Sequence, residues 1–154
     1  MQPVAGNKQE LRCPKCKSEI LLRKRNPKSN VEVDVCSKCH GMWFEDRELE
    51  QMVAVASKEL GVPHDSTFSV LRCPACSDSL LRRFPYPQTK INVEMCRFCN
   101  GLWITKEQLK EIANMREHLK KRGELIEFAP VAGFKGRVIR IVDDTIHWLM
   151  NMDD

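Results

Sequence analysis

Aromatic residues are scarce in this chain of 154 residues: three Trp, six Phe and one Tyr. An aromatic-poor core is therefore expected. No apolar run approaches the roughly 20 residues that span a bilayer, so no membrane helix is expected. Residues 1–10 are polar and lack the apolar stretch of a signal peptide, which leads us to expect a cytoplasmic protein. There is no H-E-x-x-H, no phosphate-cradling glycine loop and no nucleophile–base pair, so neither catalysis nor a small-molecule substrate is expected. What remains is 42% hydrophobic and 30% charged, a composition that folds. At this length the chain allows one ordinary domain, or two small ones if something other than a large core holds them.

An internal repeat decides for two. Shifting the sequence by 60 aligns Leu11-Arg12-Cys13-Pro14 with Leu71-Arg72-Cys73-Pro74. The match continues without a gap through Cys36 and Cys96, Cys39 and Cys99, Gly41 and Gly101, Trp43 and Trp103, and Leu49 and Leu109. The expected organisation is a polar tail (1–10), a first unit (11–60), a Gly- and Pro-containing linker (61–70), a second unit (71–122) and a C-terminal segment (123–154).

All eight cysteines belong to the repeat. Cys13 and Cys16, then Cys36 and Cys39 after 19 intervening residues, are repeated as Cys73, Cys76, Cys96 and Cys99. This C-x2-C pairing is the spacing of a zinc site, in which two tight turns aim four thiolates at one ion. Four disulfides are the competing reading, disfavoured by the spacing and by a reducing compartment. Two zinc ions, one per four-cysteine set, are expected.

Between the cysteine pairs, Ile20-Leu21-Leu22 and then Val31, Val33 and Val35, alternating with Glu32 and Asp34, predict a β-hairpin. The second copy offers Leu80-Leu81 and then Ile91, Val93 and Met95. Gly41 and Gly101 are expected to take positive φ as the chain leaves the metal, and Trp43 and Trp103 to cap the small core. A helix should follow each copy, with Thr105 and Gln108 forming a capping box in the second. The fold class expected is small α+β, zinc-stabilised: two tandem zinc ribbons, each a β-hairpin plus a following helix, and a C-terminal helical segment. Each unit should then stand alone, so that Cys36→Ser would melt the first copy and spare the second.

The C-P-x-C knuckle, the hairpin, the C-x-x-C-x-G-x-W knuckle and the following helix resemble the transcription factor IIB-type zinc-ribbon family. The resemblance covers residues 11–115 and rests on the eight Cys with Gly41, Trp43, Gly101 and Trp103. Many members have Gly after the first knuckle, where this chain has Lys17 and Ser77, and an acidic pair where it has Thr105-Lys106. The resemblance implies transcription, with RNA polymerase or nucleic acid as a partner.

The net charge is +4. Each filled four-cysteine centre carries −2, so two bring the total to about zero and bulk basicity argues nothing. Distribution argues more. Arg23, Lys24, Arg25 and Lys28 crowd the first hairpin, and Arg82, Arg83, Phe84, Tyr86 and Lys90 the second. Cations with nearby rings are what single-stranded nucleic acid binding uses; the plainer account is a solvated hairpin end for the cations, with Phe84 and Tyr86 packed against prolines or forming a protein contact. His40 follows a knuckle, but Asn100 replaces it in the second copy, so it is not expected to ligate. Over the C-terminal segment Val138, Ile141, Val142, Ile146, Trp148 and Leu149 trace an apolar helical stripe. It could pack on the ribbons, pair with a second chain or dock a partner. A protein-interaction scaffold without nucleic acid is thus the alternative function.

Overall fold

The alternation of valines with acidic residues puts the two sets on opposite faces of a strand, with Val33 in a core, Glu32 half-exposed and Asp34 buried. In the computed structural model, residues 10–27, 32–45, 62–76, 78–86, 88–124, 148 and 151 are described. The strands are β1 (Leu22–Arg25), β2 (Glu32–Val35), β3 (Met42–Phe44), β4 (Thr67–Arg72), β5 (Leu80–Pro85), β6 (Asn92–Met95) and β7 (Leu102–Ile104), and helix α1 (Lys106–Lys121) follows. The two cysteine-pair units each contribute strands to one antiparallel sheet in the order β1-β2-β3-β7-β6-β5-β4. The helix expected after the first copy falls on residues 46–61, outside the described residues.

Three strands depart from the sequence reading. The three-residue strands β3 and β7 were not legible, because all their residues are buried and no alternation marks them. They join the copies, pairing Met42 with Ile104, Trp43 with Trp103 and Phe44 with Leu102. The expected linker ends early, since β4 begins at Thr67 and pairs with β5. Its register slips between Phe68 and Arg72, where Ser69 turns its hydroxyl to the Leu71 amide at 3.0 Å and to Glu94.

Directly opposed residues share a face of a sheet. One row therefore runs Arg23, Asp34, Trp43, Trp103, Glu94, Arg83, Thr67 across all seven strands. Both tryptophans are buried in a cluster with Leu21, Leu81, Cys13, Cys36, Cys73 and Cys96. A second cluster gathers Val33, Met42 and Phe44 from the first copy, Phe84, Val93 and Leu102 from the second, and Leu109 and Ile112 from α1. Each cluster draws on both copies, so neither copy closes a core alone.

The helix begins as its sequence dictates. Thr105 accepts the Gln108 amide at 3.1 Å, and Gln108 Oε1 accepts the Thr105 amide at 2.9 Å. Gln108 also donates to the Asn92 carbonyl at 2.8 Å, which ties the start of the helix to β6.

Candidate metal centres

Each C-x2-C pair sits on a tight turn, and where the residue after the second cysteine is described, a backbone bond from it closes the turn. Lys17 donates to the Cys13 carbonyl at 2.8 Å, His40 to Cys36 at 2.9 Å and Asn100 to Cys96 at 3.0 Å. Closing the turn in this way puts Lys17, His40 and Asn100 in the left-handed region, at φ of 63°, 60° and 58°. The positive φ expected of Gly41 and Gly101 thus falls one residue earlier. The glycines answer a different need. A Cβ at Gly41 would lie 2.1 Å from Cζ2 of Trp103, and one at Gly101 would lie 2.1 Å from Cζ2 of Trp43. Each tryptophan crosses the copy boundary and rests where the other copy has no side chain.

The turns bring Cys13, Cys16, Cys36 and Cys39 together, and likewise Cys73, Cys76, Cys96 and Cys99, with all Sγ atoms of a set within 4.8 Å of one another. Individual separations are 3.6 Å for Cys13 and Cys39, 3.9 Å for Cys16 and Cys36, 3.6 Å for Cys73 and Cys99, and 3.8 Å for Cys76 and Cys96. A tetrahedron of sulfurs about 2.3 Å from a central zinc has edges of about 3.8 Å. A disulfide would need about 2.05 Å. Both sets therefore fit the ion, and each is able to hold one zinc.

Electrostatics support the same assignment. Backbone amides point at the sulfurs, from Cys16 to Cys13 at 3.3 Å, Cys39 to Cys36 at 3.5 Å, Cys76 to Cys73 at 3.2 Å and Phe98 to Cys96 at 3.4 Å. Such donors favour thiolate. Four thiolates without a cation still repel. Burial pushes the Cys13 thiol well up. The hydrogen bond between Cys73 and Cys99, together with burial, does the same to Cys73, while that bond brings Cys99 down to about 5. A dication removes the conflict by taking the place of the shared protons.

The basic hairpins differ from their sequence reading. Arg23 bonds Asp34 at 3.2 and 3.3 Å, Glu32 at 2.8 Å and Glu45 at 3.1 Å, and Arg25 bonds Glu32 at 3.0 Å. Carboxylates from β2 and the end of β3 thus neutralise both arginines. The signal was present in Glu32 and Asp34, which a hairpin register sets opposite Arg25 and Arg23. In the second copy Phe84 and Tyr86 are buried in the core, so neither offers a ring to a base, which corrects that expectation. Arg82 is half-buried, Arg83 and Lys90 are exposed, Lys24 is half-buried, and Lys28 lies outside the described residues. Of the C-terminal stripe, Val138, Ile141, Val142, Ile146 and Leu149 also lie outside them, while Trp148 packs half-buried against the second cluster.

Among the described residues no helix is long and apolar enough to cross a membrane. Residues 12–55 match the family model described as transcription factor zinc-finger, a zinc ribbon of the transcription factor IIB type. The match covers the first set of four cysteines, and the second lies beyond it. No solved structure matches the chain.

Proposed function

We propose that this chain is a non-enzymatic, cytoplasmic zinc adaptor in which two tandem zinc ribbons act in transcription by offering a rigid sheet to nucleic acid or RNA polymerase. The observation that carries the reading is the pair of closed four-cysteine sets at one continuous sheet. Four cysteine ligands leave a zinc ion no open position for water or substrate, so the metal's part is to fix structure. The family matched by residues 12–55 supports the transcriptional setting.

The alternative is a scaffold for protein partners or self-association that works through the C-terminal stripe. Trp148 packs on the chain's own core, which speaks against that side chain facing a partner. Fluorescence anisotropy of the zinc-loaded chain with labelled single-stranded and duplex DNA and RNA, across a salt series, tests the first reading. Affinity that falls steeply with salt supports nucleic-acid contact. Absence of binding at low salt removes nucleic acid and leaves polymerase, or the scaffold, to be sought with Ile141→Asp as the discriminating variant.

A further inference from the structure

The two copies do not present the same surface. Around Arg23 the first copy sets Glu32, Asp34 and Glu45. Shifted by 60, the residues around Arg83 are Asn92, Glu94 and Thr105, so two of the three carboxylates are gone. The third, Glu94, bonds Ser69. Among the described residues neither Arg83 nor Arg72 makes an ion pair, and both are exposed. Strands β4 and β5 contain three arginines and no acid. The cationic surface of the sheet has therefore moved to its β4 edge.

That edge also carries a ring. Phe68 is 71% exposed although it lies within a strand. The guanidinium of Arg82 sits 3.8 Å from its centroid, and is itself held by the Ser66 hydroxyl at 2.9 Å and by the Ser66 carbonyl. One side of the ring is thus covered by a fixed cation. Phe68 opposes Arg82 and Arg72 opposes Leu80, and Leu80 and Arg82 are two residues apart, so all four share a face. In the first copy Leu22 stands at the position of Arg82 and Lys8 at that of Phe68, so the same platform has no counterpart there.

The geometry points to single-stranded nucleic acid as the occupant of this edge, with a base stacked on the open side of Phe68 and phosphates on Arg72 and Arg82. Charge selects a polyanion, because Arg72 and Arg82 share the face of Phe68, β4 and β5 contain no acid, and Glu94 lies on the other face beside Arg83. The ring selects a single strand over a duplex, since a base still paired and stacked in a duplex cannot cover it. The register slip in β4 keeps the edge from accepting another protein strand in a regular ladder. This inference rests on the nucleic-acid arm of the proposed function and deepens it: the contact lies on the second copy's edge rather than on the hairpin ends.

The test is anisotropy of the full zinc-loaded chain with labelled oligo(dT) and oligo(U), and with a duplex of matched length, over a salt series. Phe68→Ala should weaken single-strand binding by roughly 5- to 150-fold, the range for loss of one stacked base, and Phe68→Trp should retain it. Arg72→Ser should lower the salt slope by about 0.7, the value for one phosphate contact on a single strand. Arg23→Ser should leave the slope unchanged. If the wild-type chain binds single strands and Phe68→Ala binds them equally well, this site is wrong while nucleic-acid contact stands. Tighter binding to the duplex also overturns the stacking assignment. Failure of the wild-type chain to bind any of the three at low salt refutes the nucleic-acid arm itself, and the site with it.

Discussion

Gly41→Ala places one methyl group where the ring of Trp103 already lies. The new Cβ would sit 2.1 Å from Cζ2 and 2.4 Å from Cη2, whereas carbon atoms in contact lie about 3.5 Å apart, so the ring must retreat by more than about 1 Å. Trp103 is 2% exposed and packed among cysteines and leucines, with little room to move. Overfilling of this kind costs about 1–3 kcal/mol. The usual gain from Gly to Ala through the unfolded chain is about 0.4–1 kcal/mol, which reduces the loss without reversing its sign. We expect a net loss of about 1–2 kcal/mol in urea unfolding of the zinc-loaded protein, followed by tryptophan fluorescence and far-ultraviolet circular dichroism. Trp103→Ala alone should cost about 3–5 kcal/mol. Adding Gly41→Ala to it should cost almost nothing further, because the clash has been removed. An unchanged or raised stability of Gly41→Ala, or costs that simply add in the double variant, would refute the interlocked packing of the two copies.

Three further outcomes follow from the geometry. Cys36→Ser should unfold both copies together, since Cys36 shares a cluster with Cys73, Leu81 and Trp103; persistence of dispersed amide resonances from β5–β7 would show that the copies are separable after all. Arg23→Ala leaves the buried Asp34 carboxylate without its two-bond partner and should cost about 2–3 kcal/mol in urea unfolding, with Arg23→Lys restoring only part, because an ammonium cannot make the paired contact. Glu32, bonded by Arg25 and beside Arg23, has its carboxyl held below the ordinary range. Its folded value is depressed, so its contribution is complete above the ordinary glutamate value of about 4.3 and is lost as pH falls through the lower folded value; the stability difference between wild type and Glu32→Gln should shrink over that interval, and a difference that grows toward acid would contradict the sign.

The metal centres were legible in the sequence because ligation depends on residue type and short spacing, and both survive in one dimension. The hairpins were legible for the same reason, as Val33 and Val93 alternate with polar neighbours. What joins the copies was not. Met42-Trp43-Phe44 is buried throughout and too short to show a period, and Gly41 is required by a ring 62 residues away in the chain. Gly41 was read locally, as a turn residue, while the turn had already been closed by His40. Charge misled in a related way: Arg23 and Arg25 form a basic run along the chain, but pairing across strands sets them against Asp34 and Glu32. The local sequence left Phe84 and Tyr86 open between stacking and packing, because their burial depends on a cluster that includes residues of α1 and β6.

The junction between β3 and β7 has the form of a two-fold axis. Met42 pairs with Ile104 and Phe44 with Leu102, while Trp43 meets its own equivalent, so each half offers the other the same patch that it receives. A single copy expressed alone would keep such a patch on its surface and could bury it only by finding another copy, at a cost that depends on concentration. Joining the copies in one chain turns that encounter into an intramolecular one, with an effective concentration set by the connecting segment instead of the cell. It also removes the demand that both outer edges be alike. A symmetric dimer must carry every substitution twice, whereas the tethered pair holds an acid-neutralised edge at β1 and, across β5 and β4, one with three arginines in the same sheet.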